Sequence, residues 1–206
     1  MSATANGIAV STEDGALLLF PLQALLPHSS MGPEGGGHLL YPHLGPTAAL
    51  SFCPTETRLA TGGRDRAVAV WGASGAAMGQ QLQRWENAHR EWVCAVGWAG
   101  GLLLSGSADG TLLLWDVAVG QRLRELVGLQ GPPCAVGGHG RWLLAVGRCG
   151  SLWVWSRCGR PQSRHRCHPG CPTSASIAPR GAPRAAVAVS GSDGSTGVWH
   201  PTEVIN

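Results

Sequence analysis

The 206-residue chain is 44% hydrophobic and only 13% charged, with 31 glycines and 14 prolines, a balance that builds a turn-rich buried core and excludes a disordered chain. Its longest early apolar run, Leu17 to Leu26, is broken by Pro21 and Gln23 and falls short of the roughly 20 residues that cross a bilayer, so no membrane partner is expected. The positive part of the +3 net charge is all arginine, and the absence of lysine excludes the Gly-Lys-Ser/Thr phosphate loop of nucleotide hydrolases.

In chain order, the N-terminal stretch MSATANGIAVSTEDG has neither the basic start nor the apolar stretch of a secretory signal, and a cytoplasmic and/or nuclear location is the expectation. The seven cysteines are then expected to be reduced and to serve as small apolar residues. A first, incomplete unit occupies 1–42: VSTEDGALLLF, ending at Phe20, reads as strand, tight turn and strand. A surface insertion with the composition of HSSMGPEGGGH follows within Pro21 to Tyr41. The second unit, 43–86, opens with the strand TAALSF (Thr47 to Phe52) and continues through TGGRDRAVAVW to Trp71. The third, 87–127, runs from WVCAVGW (Trp92 to Trp98) through SGSADGTLLLW, ending at Trp115, to the more polar QRLREL (Gln121 to Leu126). The fourth, 128–166, carries VGRCGSLWVW to Trp155, and the fifth, 167–206, VSGSDGSTGVW to Trp199.

The terminal aromatics of these units stand 51, 44, 40 and 44 residues apart, the period of propeller blades, with the first interval lengthened by the insertion. An aspartate precedes the aromatic by six residues in four units (Asp14, Asp65, Asp109 and Asp193), and Cys149 replaces it in the fourth. A short polar residue in a tight turn, followed by a Leu or Val run, describes a hairpin whose second strand is buried on both faces. The spacing predicts an all-β chain of about five units, each of four short antiparallel strands.

On these residues the chain resembles the WD-repeat family of β-propellers, whose signature is a Gly-His pair before the first strand and Trp-Asp after the third. His43 and His89 hold the histidine position, with Pro42 and Ala88 in place of glycine. Trp115-Asp116 is the full Trp-Asp pair, whereas Gly72, Ser156 and His200 follow the other tryptophans. Over Leu59 to Pro201 the succession LATGGRDRAVAVW, AHREWVCAVGW, SADGTLLLWDVAVGQRLREL and GSTGVWHP is similar to part of the WD-repeat array of the large proteins associated with telomerase and vault ribonucleoprotein particles. That resemblance implies a WD-repeat β-propeller segment acting as a non-catalytic scaffold. Its implied partners are other proteins of a ribonucleoprotein, with RNA contacted directly or indirectly, and it implies no cofactor and no small-molecule substrate. A generic adaptor in signalling or ubiquitin ligation, and direct RNA binding through the Arg-rich C-terminal part, stay open beside it.

The resemblance also implies a hydrogen-bonded set in each blade: the His before strand one, a Ser or Thr in strand two, the turn Asp and the strand-three Trp. The matching positions are His43, Thr61, Asp65 and Trp71 in the second unit, and His89, Ser105, Asp109 and Trp115 in the third. The fifth unit keeps His168, Asp193 and Trp199 but has Val189 in strand two. The fourth keeps only Trp155, with Leu129 and Cys149 at the histidine and aspartate positions. Ser105, His89 and Asp109 together suggest a hydrolase, but no Gly-x-Ser-x-Gly elbow accompanies Ser105, and a structural role is expected.

Cys158, His165, Cys167, His168 and Cys171 lie within one short segment, yet their spacing matches no standard zinc site, and no metal is assigned. Eight arginines and no acid fall between Arg141 and Arg184; of these, Arg157, Arg160, Arg164 and Arg166 are candidates for RNA phosphates, weighed against a solvated outer strand. Trp92 lies between the blade histidine and the strand. With Arg90 it is the leading candidate for partner contact, because Trp and Arg are enriched at binding hot spots. Arg64 and Arg148, each one residue before the turn position, are further candidates.

Overall fold

The computed structural model describes residues 2–3, 7–21, 37–177 and 186–200. The stretch HSSMGPEGGGH lies outside the described residues apart from its last two. The chain divides into two compact units, Met1–Val93 and Cys94–Asn206.

The first unit holds two antiparallel sheets. β1 (Ser2–Ala3), β2 (Gly7–Ser11), β3 (Leu17–Pro21) and β4 (His38–Leu40) form one in that order, and β5 (Thr47–Phe52), β6 (Arg58–Gly63), β7 (Val68–Gly72) and β8 (Gln81–Trp85) the other. The first sheet has four strands where the sequence predicts an incomplete unit. The extra strand is the pairing of Ser2 with Ala9 and Ala3 with Ile8, two residues being too few to show a period.

The second unit contributes β9 (Val93–Ala99), β10 (Leu102–Ser107), β11 (Leu112–Asp116) and β12 (Gln121–Leu126) as one sheet. A further sheet is β13 (Pro133–His139), β14 (Trp142–Gly147), β15 (Ser151–Ser156) and β16 (Pro161–Arg166), and a three-stranded one is β17 (Pro172–Ile177), β18 (Val187–Gly191) and β19 (Thr196–Trp199). Apart from one turn of 3-10 helix at Gly75–Ala77, regular structure among the described residues is all strand. The expected fold class, an all-β series of five blades, is what forms.

Within a blade, burial falls from the inner strands to the outer one. β7 and the last five residues of β10 and β14 are buried throughout, whereas β12 is exposed except at Leu126 and β16 alternates between exposed and half-buried. The unbroken Leu and Val runs therefore sit where both sheet faces are covered, as such runs require. The cores lie between successive sheets. In the first unit Ala9, Leu17 and Leu19 pack with Leu59, Ala69 and Trp71. In the second, Leu104, Leu112 and Leu114 pack with Leu143, Ala145 and Trp155, while Leu144, Val146 and Val154 pack with Val187 and Val189. Each fully buried Leu contributes about 1.5–3 kcal/mol. The sheets approach so closely that a Cβ on Gly97 would lie 1.9 Å from the Val136 carbonyl oxygen.

A register shift recurs between strands three and four, beside the terminal tryptophan: Val70/Trp71, Leu114/Trp115 and Val154/Trp155. An irregularity of this kind re-aims the side chain next to it. Of the three indoles beside it, those of Trp71 and Trp115 donate to a strand-two hydroxyl and that of Trp155 to a backbone carbonyl.

Candidate functional site

The second blade carries a complete polar chain. Trp71 Nε1 donates to Thr61 Oγ1 at 3.2 Å, the Thr61 hydroxyl meets His43 Nε2 at 2.9 Å, and His43 Nδ1 donates to Asp65 Oδ1 at 2.8 Å. The carboxylate can only accept, which fixes the imidazole proton on Nδ1 and leaves Nε2 to accept from threonine. Asp65 also takes the Leu44 and Ala67 N–H groups, at 3.0 and 3.2 Å, and the Arg84 guanidinium at 3.1 Å. Arg84, on outer strand β8, further donates to the Pro42 carbonyl. Sequence reasoning missed Arg84; its signal is a lone basic residue in the polar run QLQRW.

Burial lowers the His43 imidazole below its ordinary 6.5, outweighing the Asp65 charge and hydrogen bond that act to raise it. Burial pushes Asp65 upward, but the Leu44 N–H, the His43 charge and the Ala67 N–H together hold it below 3.8. Charged Asp65 facing a neutral His43 is a satisfied network.

In the third blade Trp115 Nε1 donates to the fully buried Ser105 hydroxyl at 2.8 Å. Asp109 Oδ1 closes its own turn on the Thr111 N–H and hydroxyl, at 2.7 and 2.6 Å. His89 is buried in the first unit, where its N–H donates to the Arg66 carbonyl at 3.4 Å. Asp116 of the Trp-Asp pair accepts the Ala118 and Val119 N–H groups, at 2.9 and 3.2 Å.

The fifth blade brings His168 and Asp193 together through an intermediary. Gly170 N–H donates to His168 Nδ1 at 3.1 Å, so Nε2 carries the proton and donates to Ser195 Oγ at 2.6 Å, and that hydroxyl donates to Asp193 Oδ1 at 2.6 Å. The His168–Asp193 separation itself is 3.7 Å. Trp199 does not join this set: Val189 at the strand-two position offers no hydroxyl, and the indole donates to the Cys167 carbonyl at 2.7 Å. The fourth blade does the same. Ala145 stands at the strand-two position, and Trp155 donates to the Val127 carbonyl at 3.0 Å. Neither backbone acceptor nor the Ser195 bridge was anticipated.

The RNA candidates lie on or beside outer strand β16, all exposed. Arg157 donates to the Ala99 carbonyl at 3.0 Å and Arg166 to the Pro169 carbonyl at 2.8 Å. Arg164 donates to Ser151 Oγ and lies 4.7 Å from the Trp153 ring centroid. Arg160 has its backbone N–H on Ser156 Oγ, at 3.2 Å. Three of these four guanidinium groups thus donate within the protein: Arg164 within its own sheet, Arg157 to the preceding blade and Arg166 to the loop that follows β16. Among the described residues no cluster of three or more metal-ligating side chains forms.

Of the partner-contact candidates, Arg64 and Trp92 come together: the Arg64 guanidinium carbon sits 5.9 Å from the Trp92 ring centroid. They line an open cleft of about 400 Å³ with Arg66 and Glu91. Arg90 is exposed next to it. Arg148 occupies the place of Arg64 in the fourth blade, its N–H donating to the Pro132 carbonyl at 3.0 Å as that of Arg64 does to Pro46 at 3.1 Å.

Against known proteins, the family described as TEP-1 second beta-propeller matches residues 1–202. Telomerase protein component 1 of Rattus norvegicus is 31% identical over 208 residues, covering 98% of this chain and 8% of that protein. Its Mus musculus counterpart is 31% identical over 209 residues, with the same shares. The tRNA (guanine-N(7)-)-methyltransferase non-catalytic subunit WDR4 of Mus musculus is 31% identical over 127 residues, 59% of this chain and 30% of that protein. The chain thus spans about 8% of the length of the telomerase-component relatives it matches.

Proposed function

The chain belongs to the TEP-1 second beta-propeller family, and on that premise we propose that it is a non-catalytic WD-repeat scaffold that docks proteins within a ribonucleoprotein of the telomerase or vault kind, in the cytoplasm or nucleus. The observation that carries this reading is the match over residues 1–202, joined to relatives whose names describe a telomerase component and a non-catalytic subunit. The polar groups that would suggest catalysis support it too. Thr61 and Ser105 are fully buried, and each hydroxyl is taken by an indole N–H. A nucleophile needs substrate access and an oxyanion site beside it.

Docking is favoured over direct RNA binding because three of the four candidate guanidinium groups near β16 already donate within the protein. The test is affinity capture of the tagged chain from cells. Telomerase RNA or vault-particle components should be recovered with it, and recovery of an unrelated complex alone would overturn the assignment. A parallel titration of RNA against purified chain at graded salt separates direct contact from docking. Direct contact would show a steep fall in affinity with salt that vanishes when Arg157, Arg160, Arg164 and Arg166 are neutralised.

A further inference from the structure

The turn between strands two and three has one recurring conformation and one departure from it. The residue after the turn acid, or after Cys149, is Gly15, Gly110, Gly150 or Gly194 in four blades, with φ of 92°, 82°, 78° and 79°. In the second blade the same position is Arg66, at φ 66°. An L side chain in this left-handed region is disfavoured where glycine is not. A strained residue that persists is a pointer to what its side chain does.

The Arg66 side chain does two things. Its guanidinium donates to Asn87 Oδ1 at 2.9 Å, fastening the 86–92 loop to the turn, and it forms one wall of the cleft shared with Arg64, Glu91 and Trp92. Arg64 and Arg66 are both exposed, and among the described residues neither is paired with a carboxylate. Arg84 in the same blade, by contrast, pairs with both Asp65 and Glu86. Two forked donor groups beside an indole face thus meet solvent in one concavity. A guanidinium fork matches a carboxylate bidentately, and a half-buried Trp is the usual anchor for an apolar side chain.

We propose that this cleft docks an acidic peptide segment of a partner protein, a carboxylate bridging Arg64 and Arg66 while an adjacent apolar side chain lies on Trp92. The proposal rests on the scaffold reading and names the surface and chemistry through which docking occurs. A nucleic-acid strand is the poorer occupant: two cations do not make the continuous basic track that a phosphate backbone follows.

The full chain is titrated with a fluorescein-labelled peptide of alternating glutamate and phenylalanine, with the matched glutamine peptide, and with oligouridylate. The glutamate peptide should bind at least about tenfold more tightly than the other two, a factor equivalent to about 1.4 kcal/mol. Its affinity should fall by a similar factor in Arg64→Ala, Arg66→Gly and Trp92→Ala. Arg66→Gly keeps the test independent of folding, because glycine suits φ 66° and the urea midpoint should not fall. Equal binding of the glutamine peptide, tighter binding of oligouridylate, no binding at all, or unchanged affinity in Arg64→Ala and Arg66→Gly would each overturn the proposal. Capture of a ribonucleoprotein by wild-type chain alongside any of those results would remove the cleft and leave the scaffold standing.

Discussion

Replacing Thr61 by valine tests the second-blade network at its middle link. The substitution is nearly isosteric, so little packing changes at a residue that is fully buried. It deletes the one hydroxyl that both receives the Trp71 indole N–H and meets His43 Nε2. Two buried polar atoms then lose their partner together. At about 1–3 kcal/mol per orphaned group, the expected loss is about 2–6 kcal/mol, a large share of a domain's total stability. Urea unfolding followed by tryptophan fluorescence measures it. Repeating the substitution in a Trp71→Phe background, where no indole N–H remains to be orphaned, should reduce its cost by about 1 kcal/mol or more. A loss below about 1 kcal/mol for Thr61→Val, or the same cost in both backgrounds, would refute the view that the chain of hydrogen bonds holds this blade.

Acid should weaken the same blade in two stages. Burial depresses the His43 value, so its contribution is complete above its ordinary 6.5 and is lost as the pH falls through the depressed folded value. Asp65 is also depressed, against the effect of its burial, so its contribution is complete above 3.8 and is lost on further acidification. Urea midpoints across the acid range should show both stages, and His43→Gln should abolish the first; an unchanged first stage would remove His43 as its source. Gly97→Ala places a Cβ 1.9 Å from a backbone oxygen of the neighbouring sheet and should cost about 3 kcal/mol or more in urea unfolding. A near-neutral result would mean that the sheets can separate there. Burial raises the Cys94 and Cys134 thiols to about 11, whereas the Ser156 hydroxyl beside exposed Cys158 holds that thiol below 9.0. Iodoacetamide at neutral pH should therefore modify Cys158 first and spare the other two until the chain unfolds, with peptide mass mapping as the readout. Equal labelling of all three would contradict this.

The blades can be read from the sequence because their inner strands are covered on both faces, and that demand writes itself as Leu and Val runs ending in tryptophan. The second-blade set is equally readable, since His43, Thr61, Asp65 and Trp71 each have a side chain whose chemistry requires a partner. The acceptors in the other blades leave no such trace. Val127 and Cys167 take an indole proton through backbone carbonyls, and a carbonyl belongs to every residue type. Ser195 bridges His168 to Asp193 from a position that, in the third blade, is held by Thr111 closing a turn. The cleft was hidden for a different reason: Arg64 and Trp92 lie on separate turns that only folding joins, although Arg66 standing where other units have glycine was visible in the aligned copies.

The backbone acceptors also explain how the WD pattern can fade without the blade failing. The Trp155 indole N–H, buried in the cluster that holds Ala145, would be costly if it stayed unpaired; the loop carbonyl preceding strand one accepts it, as the equivalent carbonyl does for Trp199 in the fifth blade. Once the carbonyl accepts, the strand-two hydroxyl has no donor left to satisfy, and an apolar residue there adds core instead, as Ala145 and Val189 do. The histidine then loses its link to the tryptophan and needs only the turn beneath it, which is the arrangement of His168, Ser195 and Asp193. The terminal tryptophan persists in both blades because its nitrogen finds an acceptor without the strand-two hydroxyl, so the aromatic period outlasts the polar signature.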